Sequence, residues 1–288
     1  VNDEWVPASD TVKVAVSPGI RLDVDTQFGV APSPRLAIKI DPLPQLTVRG
    51  SWGLGFRPPS FSELYLRFSN PGIGYIVRGN AGLKAEHSGS VNLAVEVRLP
   101  IDGWTLSSSA WHTSLVNLIN VSANSAPNPD DPATFTYENV ANAYTQGIEV
   151  SSRMRLSKGV YVDLGYMGLD ARDVTRNRPL EGRSNHRVNG QLTMRYRPSG
   201  LEGVLRATWH SERPYYPSSG LGFANVLGFG REGVLRAPAY FDLEVQVTYV
   251  WRQWLRVFVN GSNLLNSGDQ NFNPRPPRGV MGGVMVEY

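Results

Sequence analysis

Cysteine is absent from all 288 residues. A cytosolic chain this long ordinarily keeps a few thiols, so the lack mildly favours export through an oxidising compartment. Long apolar runs are also missing. With no stretch near the roughly eighteen residues that a spanning helix needs, a membrane helix is excluded. Charge of one sign is weak: the formal net charge is +3 and no Lys/Arg block stands out, so no nucleic-acid partner is expected. Histidine is scarce. His87, His112, His186 and His210 never reach metal-ligand spacing, and no resident metal or cofactor is expected. No segment shows convincing helical periodicity.

What the chain does have is alternation. In Tyr240–Val250, Phe241, Leu243, Val245, Val247 and Tyr249 alternate with Asp242, Glu244, Gln246 and Thr248. A period of two means a strand with one greasy and one wet face. The pattern recurs in Val91–Leu99, Val188–Tyr196, Val12–Asp23 and Arg35–Ile40. About twelve such segments begin near Thr11, Pro34, Gln45, Ser88, Gly103, Tyr144, Gly159, His186, Leu201, Ala239, Gln253 and Gly279. Each has the length of a tilted membrane strand, about 9–11 residues.

The connections take turns in length. Tight ones fall at Asp41–Pro44, Pro100–Gly103, Leu156–Gly159, Arg197–Gly200 and Val250–Gln253. Long ones fall at Gly55–Glu86, Ala123–Ala143, Asp170–Asn185, His210–Pro238 and Asn263–Arg278. Up-and-down outer-membrane barrels have this asymmetry, whereas a compact soluble sandwich has no use for several long structureless loops. Aromatics gather near strand ends (Trp5, Trp52, Trp104, Trp111, Tyr166, Tyr196, Trp209, Tyr249, Trp251, Trp254, Tyr288), as interfacial girdles require. The wet faces carry Lys13, Arg21, Arg35, Lys39, Arg49, Glu96, Arg98, Glu149, Arg153, Asp163, Arg195, Arg206, Asp242, Glu244 and Arg256. In a dry core each unpaired charge would cost several kcal/mol. Lipid outside and a polar interior accommodate both faces.

The final segment, Gly279–Tyr288, ends in an aromatic with Val286, Val284 and Val280 at alternate positions, like the assembly signal of outer-membrane barrels. Other stretches resemble the TonB-dependent receptor family in that family's order. Pro32–Tyr65 holds a strand, a turn, a strand and a Gly-Phe-Arg-x-Pro loop. Gly79–Glu96 has a Gly-Asn-x-x-Leu-x-x-Glu element, and Asn139–Leu156 has a Gly-Ile-Glu strand. Val257–Phe272 has an Asn-Leu-Leu-Asn exit, followed by Pro274–Val284. The resemblance implies an all-β, antiparallel up-and-down transmembrane barrel. Residues 1–288 would be the C-terminal part of a barrel of about 22 strands with a plugged lumen. Neither a signal peptide nor the plug domain is visible, and Val1–Trp5 reads as the end of something already under way.

The resemblance further implies a receptor in the bacterial outer membrane. It would take up a scarce nutrient such as a ferric siderophore, haem or a cobalamin-like ligand. TonB would energise it through the missing plug, the other half of the barrel would complete it, the barrel-assembly machinery would insert it, and lipid and lipopolysaccharide would surround it. Ligand contacts are expected on the long loops. The candidates are Arg57, Tyr65, Arg67, Tyr75 and Arg78, then Arg213, Tyr215, Tyr216 and Phe229, then Arg275. Arg with aromatic rings suits an anionic or ring-bearing ligand; loop packing is the bland alternative for each residue. A plugless passive pore or structural barrel is the other functional class, and single-channel conductance of the isolated chain would favour it. A soluble binding module predicts a monomer in buffer without detergent. A phospholipase-like site would rest on His112 beside Ser107–Ser109 and Ser114, and Asn128, Asp130 and Asp131 suit a solvated turn better than calcium.

Overall fold

In the computed structural model the described residues are 12–70, 75–101, 103–124, 133–216, 234–251, 254–268 and 276–286. The strands are β1 (Lys13–Asp25), β2 (Gly29–Leu43), β3 (Leu46–Arg57), β4 (Arg67–Asn70), β5 (Tyr75–Arg78), β6 (Glu86–Arg98), β7 (Trp104–Asn124), β8 (Ala133–Ser157), β9 (Val160–Asp173), β10 (Arg178–Pro179), β11 (His186–Tyr196), β12 (Leu201–His210), β13 (Arg213–Tyr215), β14 (Leu235–Ala237), β15 (Tyr240–Trp251), β16 (Leu255–Ser262) and β17 (Gly279–Val286). One helix, α1 (Phe61–Tyr65), interrupts them. It is far too short to cross a membrane, and no described helix is long and apolar enough to do so.

Twelve strands form one continuous antiparallel wall in the order β1-β2-β3-β6-β7-β8-β9-β11-β12-β15-β16-β17. Each is bonded to its predecessor in that order, as meandering hairpins dictate. The tight turns need glycine where the neighbouring backbone is closest. Gly159 (φ 86°) and Gly200 (φ 69°) have left-handed backbones. A Cβ on either would lie 2.2 Å from a carbonyl of the adjacent strand, Arg195 or Val250.

Register carries the two faces across the wall. Trp209 sits opposite Val188 and Phe241, Leu205 opposite Leu192 and Val245, and Val257 opposite Tyr249 and Val284. This face is open: Phe241, Val247, Tyr249, Val284 and Val286 are all exposed. All fifteen charges assigned to the wet side lie on the opposite face. There they pair along and across strands: Lys39 with Asp41 on β2 (2.8 Å), Arg49 with Glu96 across β3 and β6 (3.4 Å), and Arg153 with Asp163 across β8 and β9. Exposed pairs of this kind are worth about 0–1 kcal/mol each, so they set polarity more than stability. The buried apolar set is small. Leu64, Leu83 and Ile119, with Phe28 and Tyr137 against them, form a cluster at the long-loop end, where α1 and Leu83 meet β7 and β8.

Several expectations need correction. The strand expected from Pro34 begins at Gly29, and the one expected from Tyr144 begins at Ala133. Pro32 and Pro34 look like breakers, yet β2 tolerates them where β3 no longer pairs with it. The long connections are not structureless. Gly55–Glu86 holds α1 and the β4–β5 hairpin, and β5 pairs in parallel with Ala133–Thr136 of β8. Ser60 and Glu63 cap α1 reciprocally, a Ser-x-x-Glu box legible in the chain. Trp111 is no girdle residue. It lies on the wet face over Gly147, where a Cβ would come 2.7 Å from its ring. Trp5 and Tyr288 lie outside the described residues.

One row on the apolar face departs from the pattern. Towards the long-loop end, His112 stands opposite Gln146 and Gln146 opposite Asp170. His112 Nδ1 and Gln146 Oε1 are 3.1 Å apart, and Gln146 donates to Asp170 at 3.2 Å. Tyr144 donates to Asp170 at 3.1 Å and Arg172 pairs with the same carboxylate. Ionised groups facing outward cannot sit in hydrocarbon, so this row marks where the acyl region ends.

Candidate functional site

Arginines and aromatic rings collect in two places beyond the long-loop end of the wall. The first surrounds α1. Arg57, the last residue of β3, donates from Nε and Nη2 to both oxygens of Glu86 (2.6 Å each) and from Nη1 to Glu63 (3.0 Å). Glu86 Oε1 also accepts the Ile119 N–H at 2.7 Å. The Arg57 fork is thus spent on two carboxylates, and its role here is to tie α1 to β6 and β7. Burial pushes Glu63 up, but hydrogen bonds from Arg57 and Ser60 outweigh it and hold the carboxyl below its ordinary value. Tyr65 donates to Gln27 at 3.3 Å. Arg67 and Arg78 stand directly opposite each other in the β4–β5 hairpin, both exposed. Like charges in that relation destabilise a strand pair, and an anion between them would relieve it. The backbone of Tyr75 pairs with Ala133 in the same hairpin.

The second place lies over β11, β12 and β15. Arg187, His210 and Tyr240 fall in one register row, on the wet face because Val188, Trp209 and Phe241 beside them face the other way. The His210 and Tyr240 rings stack at 4.6 Å and 11°. Arg213, on the β13–β14 hairpin, holds its guanidinium 5.2 Å from the Tyr240 ring centre. Among the described residues neither Arg187 Nε nor Arg213 Nε, both buried, has a hydrogen-bond partner. A cleft of about 240 Å³ opens beside Arg213, lined also by Tyr240, Leu265 and Ser267 among others. Arg178 covers the Tyr216 ring at 4.1 Å, and the Tyr216 N–H donates to Glu181. The ring of Tyr215 packs near Gly182.

The structure therefore sets Arg213 against Tyr240, Tyr215 near Gly182 and Tyr216 under Arg178, and places Arg57, Tyr65, Arg67 and Arg78 around α1. Sequence reasoning missed Arg178, Arg187, His210 and Tyr240. Their positions at inward strand ends were the available signal. Phe229 and Arg275 lie outside the described residues, as do Asn128, Asp130 and Asp131. Among the described residues no group of three or more His, Cys, Asp or Glu is placed to hold a metal. His112 is engaged with Gln146 and stacks on Tyr144 at 5.8 Å, not with a serine. Val284 and Val286 sit on the exposed apolar face of β17.

An antiparallel up-and-down wall, greasy on one face and ionic on the other, with short turns at one end and elaborated loops at the other, is the wall of a transmembrane β-barrel. A family profile described as "TonB dependent receptor-like, beta-barrel" matches residues 1–264, and the chain belongs to that family. Among curated relatives, the vitamin B12 transporter BtuB of Photobacterium profundum is 27% identical over 165 residues, 57% of this chain and 25% of that one. The iron-regulated outer membrane virulence protein of Vibrio cholerae serotype O1 is 27% identical over 204 residues, 67% of this chain and 30% of that one. The chain thus spans between a fifth and a third of the curated relatives it matches. The ferric enterobactin receptor PfeA of Pseudomonas aeruginosa shares the fold with a TM-score of 0.73 and 18% identity, over 95% of this chain and 42% of that one. The siderophore receptor PirA of Acinetobacter baumannii does so at 0.71 and 17%, over 97% and 44%.

Proposed function

We propose that the chain forms the C-terminal part of an outer-membrane receptor that takes up a scarce nutrient, energised through TonB by a plug supplied outside these residues. The observation that carries the ligand side of this reading is the pair of buried, unpartnered guanidinium Nε groups, Arg187 and Arg213, beside the stacked His210 and Tyr240 rings. A donor left without an acceptor costs about 1–3 kcal/mol, and an anionic, ring-bearing cargo would recover it. A ferric siderophore, haem or a cobalamin-like molecule fits that chemistry, and the relatives' names point to iron and vitamin B12. Outer-membrane location follows from the family and from the outward apolar face.

β1 and β17 end the bonded order of the wall, and among the described residues neither pairs with the other. An open edge in hydrocarbon leaves backbone groups unsatisfied at several kcal/mol each. We therefore read the wall as one arc of a larger ring, completed by strands outside this chain.

The test is uptake by cells carrying the complete receptor, challenged with a panel of ferric siderophores, haem and cobalamin. One ligand should depend on the receptor and on TonB, and Arg213→Ala should lower its uptake. Uptake that persists without TonB, or conductance through the refolded chain alone, would instead favour a passive pore.

A further inference from the structure

The wall changes character where β16 stops following β15. The two strands pair only as far up as Val245–Gly261, so Tyr240–Glu244 at the start of β15 have no β16 partner on that side. The Asn-Leu-Leu-Asn stretch folds back against them instead. The Leu264 N–H donates to the Leu243 carbonyl at 2.9 Å, and the Ser267 hydroxyl donates to the Phe241 carbonyl. Two left-handed residues make the fold-back, Asn263 (φ 46°) and Asn266 (φ 49°), a backbone that asparagine tolerates better than most residues. The two differ in what their side chains hold. Asn266 is exposed and accepts the Arg278 N–H at 3.1 Å. Asn263 is buried, donates from Nδ2 to the Ser267 and Pro276 carbonyls (3.0 Å each), and accepts the Ser267 N–H at Oδ1 (2.8 Å). A primary amide supplies this mix of donors and acceptor; a carboxylate could accept from Ser267 but could donate to neither carbonyl.

Asn263 does not line the cleft beside Arg213, but the residues it fixes do. Ser267, held at both its N–H and its carbonyl, lines it together with Leu265 and Gly268, and Leu265 is exposed. Arg213 and Tyr240 are the charged and aromatic members of the same lining. At about 240 Å³ the cleft is smaller than the roughly 300–1,000 Å³ that holds a whole drug-sized ligand, so it takes one ring-bearing arm. In an opening of that size, a shift of about 1 Å in one wall decides whether ring and guanidinium can both be met. We propose that Asn263 is a positioning residue of the nutrient site: it sets the Leu265–Gly268 wall at the spacing from Arg213 and Tyr240 that an anionic ring requires. The assignment rests on the reading of this cleft as part of the nutrient site. It gives the Asn-Leu-Leu-Asn exit a part in binding as well as in ending a strand.

Fluorine NMR of the complete receptor in detergent tests this, with para-fluorobenzoate as the probe. The wild type should broaden the probe resonance, and Arg213→Ala should weaken binding. Asn263→Gly keeps the left-handed backbone and removes the amide, and it should weaken binding about tenfold. Asn266→Gly removes the hold on Arg278 from the same turn and should leave binding unchanged. Asn263→Asp keeps the acceptor for the Ser267 N–H and should fall between wild type and Asn263→Gly. Heat-modifiable gel mobility reports folding of each variant; if Asn263→Gly loses it, Asn263→Asp carries the comparison. Wild-type affinity in both Asn263 variants would overturn the assignment. So would equal losses at Asn263 and Asn266, which general loosening of the turn would produce. A wild type that leaves the probe sharp, or an Arg213→Ala variant that binds it as well as wild type, would instead remove the cleft from the nutrient site and take both readings with it.

Discussion

The two arginine-and-aromatic clusters at the long-loop end look alike in composition and differ in what their guanidinium groups do. At Arg57 every direction of the fork meets a carboxylate oxygen, and Glu86 serves the Ile119 amide as well. At Arg213 and Arg187 the Nε atoms are buried with no hydrogen-bond partner among the described residues. The first arrangement holds a loop down; the second leaves two donors unspent among the described residues. Residue type cannot separate the two, because both sets satisfy the same Arg-plus-ring pattern. Satisfaction of donors separates them.

That contrast breaks first at Glu86. Glu86→Ala in the complete receptor strips Arg57 of its bidentate partner and orphans the Ile119 N–H. We expect about 2–4 kcal/mol of lost stability, read as a lower denaturation midpoint, with protease cutting between β3 and β6. Next comes Arg213→Ala, with the opposite signature. Ligand affinity should fall about 10–100-fold, while stability moves by no more than about 0.5 kcal/mol. If Arg213→Ala destabilises as much as Glu86→Ala, the second cluster is structural too. A smaller effect is expected at the facing pair of the β4–β5 hairpin. Arg78→Ser should raise stability by about 0.2–1 kcal/mol in the absence of ligand and lower affinity in its presence. Stabilisation without any loss of affinity would remove Arg67 and Arg78 from the site.

The smallest effect is the pH response of Glu63. Its carboxyl is held below the ordinary 4.5 in the folded chain. The stabilisation is therefore fully present above about that pH and is lost as pH falls through the folded value. Protection of the α1 segment in hydrogen exchange should decline on acidification below 4.5, and Glu63→Gln should flatten that decline. Because Glu63 is partly solvated, the magnitude is small.

Legibility followed periodicity. A strand such as β15 shows ten residues of strict alternation, and both its existence and its faces could be read before any coordinates. The upper part of β8 could not. Glu138, Asn139, Asn142 and Gln146 give it no greasy face, because it rises above the acyl region, where β7 and β5 rather than lipid flank it. Asn139 illustrates the cause: its amide bonds the carbonyls of Lys84 and Asn117, contacts that exist only once three elements meet. Trp111 misled for a related reason, since a tryptophan screening a glycine across a strand pair looks the same in sequence as one at a lipid interface. At the sites, Arg57 and Arg213 were both nameable, but Glu86 lies 29 residues from Arg57. His210 and Tyr240 met only through register.

The parallel clip of β5 on β8 has a consequence for the proposed receptor role. It fastens the far point of the excursion between Phe56 and Glu86, while the Arg57 fork fastens its base. A canopy anchored at both places takes its shape during folding. If the chain is the receptor proposed above, its ordering entropy would not subtract from affinity, and selectivity at the mouth would come from a surface formed before the nutrient first touches it.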